Sequence, residues 1–251
     1  MEDINPILGS WPYEPGEITV RKIVGGDGNP YIQLRLDLGL LQMAMTGRPD
    51  GRRPFGADCL LEFHQERLER HRAKTGGDDG FTLTAKECAE LRDESIQYYR
   101  RYLGLYHLEE FEGVVRDTSR NLDCLDFMRQ YAADESDRAA FEQYRAYIIM
   151  MHTRALTALA LESEDFPAAV QAIGRGIDRI EGFLREIDQP DLIGRSLEIA
   201  SLRQLEQEIR RRMPLDPVDE LRQQLQAAVE VEDYELAAVL RDQLRELDAV
   251  E

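Results

Sequence analysis

The chain has 251 residues, of which 43% are hydrophobic and 32% charged, values typical of a globular protein that is rich in charge. Its formal net charge of −18 argues against direct binding to nucleic acid or to anionic membranes, because both depend on basic surface. No apolar run reaches the roughly 18 residues of a membrane-spanning helix. The three cysteines form no C-x-x-C pair, and the N-terminus lacks the pattern of a secretory signal. We therefore expect a reducing, cytoplasmic location, with no disulfide, metal or cofactor.

The first 75 residues predict a small antiparallel sheet followed by one helix. Residues 18–24, 31–38 and 39–45 have strand character, and the Gly-, Asn- and Pro-containing segment between the first two is typical of a hairpin loop. In the second run apolar and polar residues alternate, which predicts one buried and one wet face. The alternation changes parity at Gly39, where we expect a bulge or bend. A helix is predicted over 57–73.

The loop between the sheet and that helix carries three arginines, Arg48, Arg52 and Arg53. Its glycines and prolines restrict its shape, so the guanidinium groups could hold a carboxylate or a phosphate. Together with Asp37, this loop is the candidate for an anion-binding or hydrolytic site. The alternative is a rigid connector whose arginines pair with acidic helices.

The remaining titratable side chains suggest no further site. His64 and His71 are seven residues apart, whereas metal ligands on a helix are usually three or four apart, so we interpret both as surface residues. Cys59 lies near His64 and Asp58 in sequence but is expected to be a buried thiol. With no phosphate-binding loop and no catalytic constellation, the chain is predicted not to be an enzyme.

Residues 81–213 predict an acidic helical array. Thr84 and the glutamate three residues later form a capping-box pattern, and further helices are expected from about 109, from about 136, over 166–187 and over 192–212. Segments 102–122 and 155–177 are similar to one another. Each has an apolar helix end, an acidic turn and a phenylalanine, in the manner of the helix pairs of tetratricopeptide repeats. An ordinary helical bundle is the alternative.

Residues 217–251 predict a helical hairpin, set apart from the array by Pro214 and Pro217, which cannot continue a helix. One apolar face is formed by Leu221, Leu225 and Ala228, and a second by Ala237, Leu240, Leu244 and Leu247. A hairpin of about 35 residues buries too little apolar area to be stable alone, so its apolar surface needs another surface, either in the same chain or in a partner.

This segment resembles the UVR (UvrB/UvrC) motif. The resemblance rests on those apolar positions, on the acidic-aromatic-acidic turn at 233–235, and on the Ala-Ala and Leu-Arg-Asp steps at 237–238 and 240–242. In excision-repair proteins this motif joins one subunit to another, so the resemblance implies protein docking. The expected partner-binding residues are Leu221, Leu225, Ala228, Tyr234, Ala237, Leu240, Leu244 and Leu247. The alternative is a C-terminal cap that packs on its own body.

We therefore predict an α+β, mostly α, protein. Its predicted parts are a β-rich unit with one helix at 1–75, a helical bundle at 81–213, and a UVR hairpin at 217–251. The predicted function is that of an adaptor that binds a protein partner or a second copy of itself. The alternatives are an accessory factor in nucleotide-excision repair and the anion-binding or hydrolytic site at Arg48–Arg53.

Overall fold

A computed structural model describes residues 3–213 and 217–248. The fold is α+β and mostly helical, as predicted, with a three-stranded antiparallel sheet near the N-terminus and a pair of helices at the C-terminus. The chain divides between Glu206 and Gln207 into two compact units. The limits of the three predicted parts stay a prediction.

The sheet follows a short helix, α1, and its strands lie in sequence order. Strand β1 pairs with β2, and β2 with β3, both antiparallel. The bounds are α1 Asn5–Ser10, β1 Val20–Val24, β2 Pro30–Leu36 and β3 Gly39–Ala44. Leu36 pairs with Gly39, so Asp37 and Leu38 form a two-residue hairpin turn. The parity change at Gly39 thus comes from this turn and not from the bulge or bend that we expected.

The wet face predicted for β2 is wrong, because Gln33 and Arg35 are only 5% and 8% exposed. The chain before β1 covers this face, and Nε of Arg35 donates a hydrogen bond of 2.8 Å to the carbonyl of Trp11. The indole of Trp11 in turn lies 4.1 Å from the guanidinium carbon of Arg21. Polar alternation therefore marks a second, hydrogen-bonded interface, which periodicity alone cannot distinguish from a solvated face.

Nine α-helices follow the sheet within the described residues. The four long ones of the body pack in chain order, α3 on α4, α4 on α6 and α6 on α7, and α3 also contacts the sheet. The bounds are α2 Leu60–Thr75, α3 Ala85–His107, α4 Phe111–Tyr131, α5 Glu135–Ala139, α6 Arg145–Glu162, α7 Phe166–Glu186, α8 Leu197–Arg212, α9 Pro217–Glu230 and α10 Tyr234–Asp248.

Two predicted helices are interrupted. The run from 136 is divided into α5, a 3-10 turn at Glu142–Tyr144, and α6. Arg145 pairs with Glu142 at 2.5 Å across this break, and the pair holds the turn against the start of α6. The run from 192 begins as a 3-10 helix, Pro190–Arg195, and α8 starts only after Ser196, whose hydroxyl accepts a hydrogen bond from the amide of Ile199.

One hydrophobic core joins the sheet to the helices. Ile32 and Leu34 of β2 pack in a cluster with Tyr102 and Leu105 of α3, Val114 of α4 and Met151 of α6. The approach is close at Gly104, where an added Cβ would lie 2.9 Å from the side chain of Ile32. The sheet is therefore an integral layer of the body and sets where the loop after β3 meets α3 and α4.

A buried ion pair connects α3 and α4 at the edge of this core. Arg101 and Asp117 are both fully buried and form a two-pronged pair with distances of 2.7 and 2.8 Å. Arg101 also donates a hydrogen bond to the carbonyl of Ala44, and Arg116 donates to the carbonyl of Met45. These bonds fix the end of β3 against the helices. The bond from Arg101 also satisfies guanidinium hydrogens that burial would otherwise leave unpaired.

A second buried carboxylate lies about two turns away on α3. Glu94 is fully buried and contacts the guanidinium groups of Arg48 and Arg120, and its oxygens accept the backbone amide of Leu60 at the start of α2. The ring of Tyr98 lies between the two ion-pair groups, 4.9 Å from the guanidinium carbon of Arg101 and 4.4 Å from that of Arg120. The loop, α2, α3 and α4 therefore meet at one polar centre.

Three helix turns among the described residues share a sequence pattern, which a fourth turn of the same backbone shape, at Asp188, lacks. Each of the three has a glutamate with left-handed backbone, at φ 58° for Glu109, 56° for Glu164 and 61° for Glu232. In each, the next residue donates its amide to a carbonyl five residues earlier, at 2.9 Å, which is the Schellman arrangement. The sequences are Leu-Glu-Glu-Phe at 108–111, Ser-Glu-Asp-Phe at 163–166 and Val-Glu-Asp-Tyr at 231–234. The two body segments and the C-terminal hairpin thus share this turn, and the resemblance of the segments to tetratricopeptide repeats stays a prediction.

The buried pair between α3 and α4 generates a stability prediction. Asp117→Asn removes the charge that compensates Arg101, so we expect the free energy of unfolding to fall by about 3–5 kcal/mol. Glu90→Gln is the control, because Glu90 meets Lys86 in an exposed pair and should change stability by less than about 1 kcal/mol. Urea titrations followed by circular dichroism compare the two. Equal urea midpoints for Asp117→Asn and the unchanged protein would contradict a buried, stabilising ion pair between Arg101 and Asp117.

Candidate functional site

The C-terminal hairpin is held together by a small apolar seam. Ala228 of α9 and Ala237 and Leu240 of α10 are buried, at 3%, 8% and 5% exposure, and Leu221 and Leu225 pack against them. We call these five residues the seam. Alanine at 228 and 237 lets the two helices approach closely beside the turn, and the leucines fill the space between them farther along. Burial of these apolar side chains against one another explains why α9 and α10 pair.

Five apolar residues of the hairpin are exposed to solvent. They lie within about two helical turns of the hairpin turn, and we call this set the turn-end face. The exposed fraction is 75% for Val231 and 67% for Tyr234, and the other members are between 46% and 55% exposed. The full set is Val229, Val231, Tyr234, Leu236 and Val239.

The aromatic residue after each repeated turn shows how unusual this exposure is. In the body, Phe111 is half-buried and packs with the ring of Tyr106 against the hydrophobic core, and Phe166 is half-buried as well. Tyr234 occupies the corresponding position of the hairpin but is 67% exposed. The aromatic ring at this position is thus half-buried in the body and mostly exposed in the hairpin, as in many protein-binding surfaces.

The structure separates the predicted partner-binding residues into two groups. Leu221, Leu225, Ala228, Ala237 and Leu240 form the seam and face one another, Leu244 is half-buried, and only Tyr234 lies on the exposed surface. The side chain of Leu247 lies outside the described residues. Sequence reasoning missed Val229, Val231, Leu236 and Val239. Their signal was present as apolar residues at helical positions off the predicted face.

Comparison with known protein families agrees with this geometry. The family model of the UvrB/uvrC motif matches residues 216–250, the segment that holds both helices and their turn. The C-terminal hairpin is a UvrB/uvrC motif. No curated protein and no solved structure matches the chain. The UvrB/uvrC motif therefore accounts for the hairpin, and the body is described only by its own structure.

The loop that carries Arg48, Arg52 and Arg53, which we call the arginine loop, lies at the polar centre of the body. Arg48 contacts the buried Glu94 at 2.9 Å and Asp50 at 3.3 Å, and Arg53 pairs with Asp58 at 2.6 Å. Arg52 is exposed, and its backbone amide donates to the Asp50 carboxylate. Asp37 is exposed in the β2–β3 turn. Two of the three guanidinium groups thus already contact carboxylates, as the connector interpretation expects.

His64 is not a surface residue, contrary to our interpretation. It is 2% exposed, and its ring contacts that of Phe63 edge-on at 5.1 Å. Burial, with the nearby positive charge of Arg67, lowers the pKa of His64 to about 4, so the ring is neutral at pH 7. The spacing from Leu60 to His64 to Leu68 on α2, four residues each, was the available signal that His64 faces the core.

Cys59 is half-buried and caps the start of α2, where its sulfur accepts the amide of Glu62 at 3.4 Å. Within the described residues there is no group of three or more His, Cys, Asp or Glu side chains arranged to hold a metal ion. None of the described helices has the length and hydropathy of a membrane-spanning segment.

The division between seam and turn-end face generates a prediction on hairpin stability. Leu240→Ala leaves a cavity in the seam, a change that costs about 2–5 kcal/mol at buried leucines, so the amides of α9 and α10 should exchange with solvent at least about tenfold faster. Leu236→Ala is the matched control, since Leu236 is 48% exposed and its truncation should change stability by about 0.5 kcal/mol or less.

Hydrogen exchange read by mass spectrometry, peptide by peptide, distinguishes the two variants. The amides of α3 to α7 should exchange at unchanged rates in both. Faster exchange of the hairpin in Leu236→Ala than in Leu240→Ala would reverse the assignment of seam and surface.

Proposed function

We propose that this chain is a non-enzymatic cytoplasmic adaptor that binds a protein partner, or a second copy of itself, through its UvrB/uvrC hairpin. The observation that carries the proposal is the turn-end face, where Val231 and Tyr234 are 75% and 67% exposed on a helical hairpin. Exposed apolar surface of this kind costs solubility unless another protein covers it. The face includes a tyrosine, a residue type enriched among the energetically dominant contacts of interfaces.

The hairpin's composition also favours docking by a helical partner. Its exposed apolar residues lie on and beside two antiparallel helices, which can pack against further helices by the same contacts that join α4 to α6 in the body. Acidic residues Glu230, Glu232 and Asp233 surround Val231 at the turn. A partner surface with apolar residues inside a basic rim would match both features.

A non-enzymatic role is consistent with the arginine loop. An anion site there would need guanidinium groups available to a ligand, but Arg48 and Arg53 contact Glu94 and Asp58. The three thiols are free, which suits a reducing compartment such as the cytoplasm.

A narrower candidate is an accessory role in nucleotide-excision repair, reached through contact with a repair protein. The match of residues 216–250 to the motif named after UvrB and UvrC supports it. The net charge of −18 favours contact with protein over contact with DNA. Recovery of a UvrB- or UvrC-type protein with the full-length chain would favour this candidate, and recovery of unrelated partners alone would remove it.

The docking proposal predicts a separation between two pairs of exposed apolar residues. Changing Val231 to Asp and Tyr234 to Ala places a charge in the turn-end face and removes its aromatic ring, so partner recovery by the tagged full-length protein should fall at least about 30-fold. Val24 at the end of β1 and Leu38 in the β2–β3 turn are 74% and 88% exposed, and changing them to Asp and Ala should leave recovery unchanged.

Quantitative mass spectrometry of the co-purified proteins measures partner recovery, and sedimentation velocity of the purified variants measures self-association. The proposal expects the hairpin pair of changes to lower at least one of them. Equal recovery and equal sedimentation for all variants would show that the turn-end face docks nothing.

A further inference from the structure

A cleft on the body lies apart from the hairpin and from the arginine loop. It has a volume of about 720 Å³, within the usual range of ligand pockets. Its walls come from α3, α4, the 3-10 turn at Glu142–Tyr144, α6 and the first turn of α8. All the lining residues lie within the first compact unit.

Aromatic rings form much of the lining. The rings of Tyr99 and Tyr147 meet edge to face with centroids 6.2 Å apart, and those of Phe141 and Tyr144 lie 5.3 Å apart. Tyr99 and Tyr144 are 38% and 49% exposed, so parts of their rings remain accessible from solvent. Burial, together with the neighbouring Tyr99, raises the pKa of Tyr147 to about 12, so this side chain stays neutral.

The charged residues of the cleft leave it with a negative excess. Arg92 is the cation in the lining, and it pairs with Asp137 at 3.5 Å. Two further carboxylates line the cleft, Asp93 and Glu198, and within the described residues neither forms an ion pair with Lys or Arg. Glu198 is half-buried, and one of its oxygens accepts the hydroxyl of Ser196 at 2.8 Å.

We propose that this cleft binds an arginine side chain of a peptide segment from a protein partner, between the tyrosine rings and the carboxylates of Asp93 and Glu198. A guanidinium group can stack on an aromatic face while its edge donates hydrogen bonds to a carboxylate. The chain already uses the first contact internally, since the guanidinium carbon of Arg154 lies 5.7 Å from the ring centre of Tyr106. The apolar lining, which includes Ile96 and Ile148, accommodates the residues beside the arginine.

This site is independent of the hairpin and goes beyond the proposed function. It gives the body a binding surface of its own. This surface prefers a positively charged group that stacks on its rings, whereas the turn-end face is apolar. A partner that used both would be held at two points, which raises apparent affinity when the geometry permits simultaneous contact. Variants at one site should leave the other unchanged, so the two proposals fail separately.

The test is binding of a labelled peptide, acetyl-Gly-Leu-Arg-Leu-Gly with a C-terminal fluorophore, to the full-length protein at about 0.15 M salt, where long-range attraction to the acidic surface is screened. Fluorescence anisotropy measures the affinity. A peptide with citrulline in place of arginine keeps the shape and loses the charge, and we expect it to bind at least about tenfold more weakly.

Variants of the protein locate the site. Glu198→Gln and Tyr144→Ala should each weaken binding of the arginine peptide about tenfold, and Tyr144→Phe, which keeps the ring, should bind as the unchanged protein does. Glu162→Gln removes the same charge at an exposed position outside the cleft lining and is the matched control.

The proposal is overturned by equal affinity for the arginine and citrulline peptides, or by binding that survives both Glu198→Gln and Tyr144→Ala. A loss in Glu162→Gln as large as that in Glu198→Gln also overturns it, because the peptide would then bind the acidic surface in general. The hairpin variant with Val231→Asp and Tyr234→Ala should bind the peptide normally. Thermal unfolding of each variant confirms that the body is folded.

Discussion

The buried charges between α3 and α4 are the constraint on which the body depends. Arg101 with Asp117, and Glu94 with Arg48 and Arg120, lie in a row beside the ring of Tyr98. Burying charges costs free energy unless each is paired and hydrogen-bonded, so the arrangement holds only when β3, the arginine loop and the start of α2 are all in place. One polar centre thereby couples the position of the sheet to that of the helices. It also commits Arg48 to a structural role, which leaves the hairpin and the tyrosine-lined cleft as the candidate binding surfaces.

Much of the fold could be predicted from the sequence because its signals are local. The Thr84 capping box, the strand pattern and the helical faces each depend on neighbouring residues, and all three appear in the structure. The failures concern contacts between distant segments. Gln33 and His64 are buried because segments remote in sequence cover them, and alternation or spacing on one element does not reveal what packs against it. Likewise, the hairpin turn at Asp37 could not be told from a bulge without knowing the partner strand.

The candidate site shows the same limit more sharply. The UvrB/uvrC motif and its two helices could be predicted, because the motif residues and the helical spacing of the apolar residues both lie within this segment of the sequence, residues 217–248. The sequence alone does not distinguish the apolar residues that join the helices from those that face outward. Both sets are apolar, and only the packing of α9 on α10 separates them. Leu240 is buried in the seam, whereas Tyr234 is exposed to solvent. The tyrosine-lined cleft was missed altogether, since its walls come from five segments spread over about 100 residues.

The central claim is that the turn-end face binds a separate protein chain and does not serve as a cap on the body. Hydrogen exchange of the purified full-length chain, compared with a truncation after Met213, tests this most directly. The account predicts equal exchange rates for the amides of α2 to α7 in the two proteins, because the hairpin would protect nothing in the body. Faster exchange in one of these helices after truncation would contradict it, and would identify the body surface that the hairpin covers.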